Sequence, residues 1–295
     1  MNDSGASRNL RGMLMMLLAV ATFSLMDACL KVLTPHYAPM QVAALRGMSS
    51  WPLVTAWVLY DGGSRALLRV RWPLHLLRGL LSIVMLSSFA YALRTLPLAE
   101  TYTLFFIAPL LITALAALVL REHVDWRGWT AIITGFAGTL IVLRPTGAGM
   151  LTWAGLAVLV SATGYAISAI TVRVLGRNDT TQAMVFWMLT MTSVFALALS
   201  FREWMPIHRE HWLVLIGLGV FGAIGQYAIT DAFRNAAASR IAPLEYTALV
   251  WGIALDYALW HTLPDAVTLT GAAVIIAAGL YLIRRERTHV EAEHP

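Results

Sequence analysis

Long apolar stretches, separated by short polar connections, recur along the whole chain. Ten can be read, at roughly 12–33, 39–60, 74–94, 97–120, 127–144, 151–175, 181–201, 212–234, 240–262 and 267–284. Each holds about 18–25 residues, the length an α-helix needs to cross the hydrocarbon core of a bilayer. The connections carry the breakers: Pro35 and Pro39, Asp61-Gly62-Gly63, Pro97, Pro145 with Gly147 and Gly149, Pro206, and Pro264-Asp265. This pattern predicts an all-α integral membrane protein with ten transmembrane helices. Arg8 and Arg11 precede the first stretch, as in a signal peptide. The stretch outruns a signal h-region, lacks a small-residue cleavage site and is followed by nine more, so it is expected to remain as the first helix.

Composition narrows the class. Of 295 residues, 59% are hydrophobic and 13% charged, with a mean hydropathy of +0.69. A soluble domain carries about 25% charged residues. The connections are about ten residues each, too short for a soluble catalytic or ATPase domain. Cys29 is the sole cysteine, lies in an apolar stretch and is expected to pack there.

The charges are placed unevenly. With the N-terminus taken as cytoplasmic, 14 of the 21 basic residues fall on the inner side: Arg8, Arg11, Arg65, Arg69, Arg71, Arg121, Arg127, Arg173, Arg177, Arg234, Arg240, Arg284, Arg285 and Arg287. Five fall outside: Lys31, Arg94, Arg144, Arg202 and Arg209; Arg46 and Arg78 lie within or at the edge of spans. That bias predicts cytoplasmic termini and an even number of spans, in a bacterial inner membrane. The net charge of +5 is read as loop charge at an anionic membrane face, not as a nucleic-acid surface.

The chain also resembles itself. Phe23–Leu33 (FSLMDACLKVL) lies over Tyr165–Leu175 (YAISAITVRVL) at an offset of 142, with Lys31 over Arg173. Gly79-Leu80 lies over Gly217-Leu218 and Arg94 over Arg234, and GWTAIITGFAGTLIVLR resembles GAAVIIAAGLYLIR. The expected units are a tail at 1–11, a five-helix repeat at 12–145, a second at 146–285 and a tail at 286–295. Five spans is an odd number, so the second repeat must cross the membrane in the opposite sense. Inverted repeats around a midplane site are a secondary-transporter design working by alternating access.

The segments LPLAETYTLFFIAPLLITALAALVL and LREHVDWRGWTAIITGFAGTLIVLRP, with Pro109 in the fourth span and Glu122 closing it, resemble the EamA branch of the drug/metabolite transporter superfamily. So does IAPLEYTALVWGIALDYALWHTLPDAVTLTGAAVIIAAG in the second repeat. The resemblance runs from about residue 12 to 284, and within the superfamily it is to bacterial amino-acid exporters of the YddG type. It implies export of small amphipathic metabolites, amino acids including aromatic ones, from a cavity lined by the first, third, fourth, sixth, eighth and ninth spans. Other drugs or metabolites such as nucleotide precursors remain an alternative cargo. One departure is the Trp260-His261-Thr262 stretch, which replaces the acidic residue that often closes the ninth span opposite Glu122.

Enzyme signatures are absent. The only lysine, Lys31, follows Leu30, which excludes a Walker motif, and neither H-E-x-x-H nor G-x-S-x-G occurs. An intramembrane enzyme on lipid-linked substrates would need clustered His, Asp or Ser, which the pattern lacks. The eight histidines fall in loops or at span ends, with no metal-ligand cluster. No catalytic residue, metal or cofactor is expected; the expected partners are a small-molecule substrate and the bilayer. Proton coupling and oligomeric state stay open, a monomer being compatible.

Candidate site residues are the polar and aromatic groups inside spans, where a charge is costly and faces a cavity or partner. Asp27 either pairs with Lys31, four residues on along one helical face, or serves a cavity. Arg46 needs a partner, Asp27 or a carbonyl. Glu100 lies near the outer end of the fourth span. Glu245, after Pro243, either contacts a substrate ammonium with Tyr246 or pairs with Arg240. Asp256 has no cation nearby in sequence. Gln226 suits a zwitterion or an interhelical hydrogen bond. Ser82, Met85 and Phe89 share one helical face. The deep aromatics are Phe89, Tyr91, Tyr102, Phe105, Tyr165, Tyr227, Tyr246 and Trp251, whereas Trp51, Trp72, Trp126, Trp129, Trp153, Trp204 and Trp212 suit interfacial belts. Gly217, Gly219, Gly222 and Gly225 predict close helix packing.

Overall fold

The computed structural model of the chain describes residues 3–61, 67–68, 70–120, 152–236 and 241–278, with isolated positions between 126 and 141. Most of the expected fifth span with Glu122, the end of the tenth, Arg240 and the C-terminal tail lie outside the described residues.

All regular secondary structure among the described residues is helical. The helices are α1 (Asp3–Leu33), α2 (Pro39–Tyr60), α3 (Trp72–Ala92), α4 (Leu98–Phe105), α5 (Ile107–Val119), α6 (Trp153–Leu175), α7 (Thr181–Ser200), α8 (Trp212–Asn235), α9 (Ala248–Trp260) and α10 (Ala266–Ala278). Local chemistry sets their starts. Proline stands in the first turn of α2 and α3, where no amide donor is needed. Thr152 and Thr180 cap α6 and α7, accepting from the amides of Gly155 and Ala183 at 3.2 Å.

Among the described residues, six segments are long and apolar enough to cross a membrane: Leu10–Leu33, Trp72–Ala92, Leu98–Val119, Trp153–Leu175, Thr181–Glu203 and Arg209–Asn235. The 22-residue α2 is as long, but Gln41, Arg46, Ser49 and Ser50 lower its hydropathy. Large apolar residues such as Leu59, Leu80, Leu118, Leu213 and Ile216 are exposed on the outside of the bundle, as a lipid-facing surface requires. Trp153 and Trp212 are exposed at helix starts, in keeping with an aromatic belt.

The fourth apolar stretch is not the continuous helix expected. It breaks at Phe106, between α4 and α5. Pro109 has no amide hydrogen, so the Phe105 carbonyl four residues earlier loses its helical donor. The ninth stretch is interrupted in the same way: a 3-10 helix, Ala242–Thr247, with proline in its first turn leads into α9.

Packing follows the internal repeat. The principal contacts join α1 to α8, α3 to α6, and α2 to α7, with α2–α8 and α3–α7 next. Exchanging each helix for its repeat counterpart turns α1–α8 into α6–α3 and leaves α2–α7 unchanged. Polar contacts at the two ends of the bundle show how α1, α3, α6 and α8 run. At one end, Arg94 Nε donates to the Thr34 carbonyl (3.0 Å) and Tyr37 Oη bonds His211 Nδ1 (2.8 Å), joining the ends of α1 and α3 to the start of α8. At the other, Arg11 meets Asp231 (3.0 Å), His75 meets Asp179 (2.8 Å) and Arg234 meets Thr181 (3.2 Å). The counterparts α1 and α6 therefore run in opposite senses.

Glycines let α8 approach its neighbours. A Cβ on Gly219 would lie 2.5 Å from the Ser49 carbonyl oxygen of α2, and one on Gly225 2.6 Å from the Phe23 ring of α1. Cys29 packs against this seam beside Gly217.

Candidate functional site

A cavity of about 190 Å³ lies between α1, α3, α4, α6 and α8, and both helix breaks open onto it. Phe23, Ser24 and Asp27 enter from α1 and Arg46 from α2. Arg78, Ser82, Met85 and Phe89 enter from α3, at relative positions 0, 4, 7 and 11 on one helical stripe. Tyr102, Phe105 and Phe106 line the first break, with Glu245 and Ala248 at the second. Tyr165 and Ser168 of α6, Met188 of α7, and Gln226 and Phe233 of α8 also line it.

Two carboxylate–tyrosine pairs face this space, one from each repeat. Tyr102 Oη of α4 donates to Asp27 Oδ2 of α1 at 2.9 Å. Tyr165 Oη of α6 donates to Glu245 Oε1 at 2.9 Å. The two repeats use the same pair of positions, first and fourth span, with acid and phenol exchanged. Arg46 lies in electrostatic reach of Asp27 and donates to Met26 Sδ (3.1 Å) and Gln226 Oε1 (3.3 Å). Both acids are at least nine-tenths buried.

Aromatic rings join the two pairs. Phe89 lies 5.9 Å from Phe105, Phe105 5.4 Å from Tyr165, and Tyr165 6.3 Å from Phe233, with Phe89 stacked 6.4 Å from Tyr102. This continuous apolar wall suits the flat or bulky body of an amphipathic molecule.

Eight of the twelve residues expected at the site line the cavity: Asp27, Ser82, Met85, Phe89, Tyr102, Tyr165, Gln226 and Glu245. Ser82 is already engaged, donating to the Gly79 carbonyl and bonding Thr192. Glu100, Tyr227, Tyr246 and Trp251 do not line it. Glu100 is half-buried near the start of α4. Tyr227 sits one step around α8 from Gln226 and meets Trp57 edge-on at 5.0 Å. Tyr246 is buried against Phe106, with ring centroids 5.2 Å apart. Trp251 is exposed, because the buried face of α9 carries Gly252 and Asp256.

Of the two readings of Asp27, the pairing with Lys31 is not the one observed. Lys31 reaches across to Asp256 of α9 at 2.7 Å and lies 4.3 Å above the Trp260 ring. Asp256 accepts a second bond from the Ala99 amide at 2.8 Å, tying α1, α4 and α9 together. That frees Asp27 for Tyr102. Among the described residues no cluster of three His, Cys, Asp or Glu side chains is placed to hold a metal ion. Arg46 and Arg78 were missed as cavity residues. For Arg78 a signal existed, since it stands one turn before Ser82 on the stripe already identified.

The sequence profile of the EamA-like transporter family matches twice, at residues 10–144 and 152–285. The chain belongs to the EamA-like transporter family. Relatives include the pseudopaline exporter CntI of Pseudomonas aeruginosa, 26% identical over 94% of this chain and 97% of the relative. The S-adenosylmethionine uptake transporter of Rickettsia prowazekii is 27% identical over 100% and 99%. The riboflavin transporter of Vibrio cholerae is 29% identical over 94% of each chain. A solved crystal structure, 21% identical, has the same fold, with a TM-score of 0.68 over 95% of this chain and 98% of its own. The chain is thus a membrane protein of a small-molecule transporter family.

Proposed function

We propose that this EamA-like protein is an exporter of amino acids, including aromatic ones, with ten spans arranged as two inverted five-helix repeats. The carrying observation is the pair of carboxylate–tyrosine contacts facing an aromatic-walled cavity. An ammonium group can bind a carboxylate whose orientation is held by a phenol, while the apolar body lies on the rings. The bias of basic residues along the sequence, 14 of 21 in the segments taken as inner, supports cytoplasmic termini in a bacterial inner membrane. The opposite sense of α1 and α6 and the broken fourth and ninth spans support alternating access around the cavity. The sequence has no Walker motif, which leaves the substrate gradient or an ion to drive flow, and of these we take the substrate gradient. Relatives named for three different metabolites favour a second reading, in which the same cavity carries another small metabolite.

Purified protein in liposomes tests both readings. Labelled phenylalanine, and other amino acids in a broader metabolite panel, are expected to show counterflow with the protein and none without it. The flux is expected to be indifferent to an imposed proton gradient. Flux of a non-amino-acid metabolite alone would support the second reading, and no flux across the panel would sink the proposal.

A further inference from the structure

Two arginines border the cavity, and among the described residues neither has a carboxylate within 4.0 Å. Asp27 still acts on Arg46 across the cavity, whereas no carboxylate acts on Arg78. Arg78 is 1% exposed, and among the described residues no carboxylate lies within 4.0 Å of it. Its Nη1 donates to the Met184 carbonyl (3.2 Å) and its Nη2 to the Met188 sulfur (3.3 Å), while the buried Nε has no partner. One turn earlier on α3, His75 already holds Asp179.

An uncompensated buried cation is costly, and more so within a bilayer. Packing alone explains it poorly, since methionine or leucine would fill the same volume without that cost. The guanidinium fork has five N–H donors, of which two are engaged, one of them on a weak sulfur acceptor. It sits on the α3 stripe with Ser82, Met85 and Phe89, all lining the cavity.

We infer that Arg78 is a carboxylate-binding residue of the cavity, so that the cargo carries a carboxylate which supplies the missing counter-charge. The inference rests on the cavity being the transport site. The fork matches a carboxylate in bidentate fashion, and the ligand's apolar body then extends along the Phe89–Phe105–Tyr165 wall. Ammonium recognition and carboxylate recognition are thereby assigned to different helices, the first to Asp27 and Glu245 and the second to Arg78.

A matched set of four probes separates the two. L-phenylalanine carries both charges, 3-phenylpropionate only the carboxylate, and L-phenylalaninamide and phenethylamine only the cation. Affinities are read from ligand-induced shifts in thermal unfolding of the purified protein. Arg78→Gln is expected to weaken phenylalanine and 3-phenylpropionate about tenfold or more, the range of a charge-assisted hydrogen bond. It leaves the two cation-only probes within about twofold. Arg78→Lys keeps the charge but loses the fork, and is expected to fall between; it carries the test alone where Arg78→Gln does not purify as a folded protein. The inference is overturned if neither carboxylate binds the native protein, if Arg78→Gln binds them equally well, or if the amide loses as much. If 3-phenylpropionate binds in an Arg78-dependent way while phenylalanine is not transported, the amino-acid reading fails and the role of Arg78 stands.

Discussion

Asp256→Ala is expected to cost the folded protein about 3 kcal/mol, the low end for removing one partner of a buried ion pair. Lys31 keeps 14% side-chain exposure, whereas Asp256 has 1%, so the stranded ammonium recovers some hydration. The Ala99 amide at the start of α4 loses its acceptor in the same step. The loss lowers the thermal midpoint of the purified protein by roughly 5 °C or more, at about 2–4 °C per kcal/mol for a large domain. Pairing Asp256→Leu with Lys31→Met restores most of it, because no unpaired charge is then buried. An Asp256→Ala protein as stable as the native one would remove this contact from the account of what joins α1, α4 and α9.

Glu245→Gln is expected to weaken an ammonium-bearing substrate at least about tenfold while leaving the fold intact. Glutamine keeps the oxygen that accepts from Tyr165, so the contact between α6 and the ninth span survives. What disappears is the charge, and hydrogen bonds to charged groups contribute about 1.5–3 kcal/mol. The check is the affinity for phenylalanine against that for 3-phenylpropionate, which has no ammonium. Equal affinity in the variant and the native protein would remove Glu245 from the site.

Helix positions were legible because the bilayer dictates length and polarity together. The stretches read at 74–94, 181–201 and 212–234 correspond to α3 (Trp72–Ala92), α7 (Thr181–Ser200) and α8 (Trp212–Asn235). The first stretch, read from residue 12, matches the membrane-crossing segment Leu10–Leu33, while the helix α1 itself begins earlier, at Asp3. Hydropathy reports what lies in lipid, and about two polar helical turns ahead of it leave no apolar signal.

The site was legible where spacing along one helix decides, as for Ser82, Met85 and Phe89. It was not legible where helices compete. Lys31 stands one turn from Asp27, yet Asp256, 225 residues away, takes it. Trp251 and Asp256 are five residues apart on α9, which puts them about 140° apart around the axis, so burying the acid turns the indole outward. Hydrophobicity alone gives α9 no preferred face, and the inward side had to come from tertiary contacts with α1 and α4.

The central claim is that the cavity is the transport path, and counterflow of labelled phenylalanine in liposomes with Ser168→Trp tests it most directly. Ser168 is 5% exposed and lines the cavity from α6. An indole there fills the space without touching the ion pairs at either end of the bundle. The expected result is rapid counterflow for the native protein and background flux for a folded Ser168→Trp protein; undiminished flux in that variant would contradict the claim.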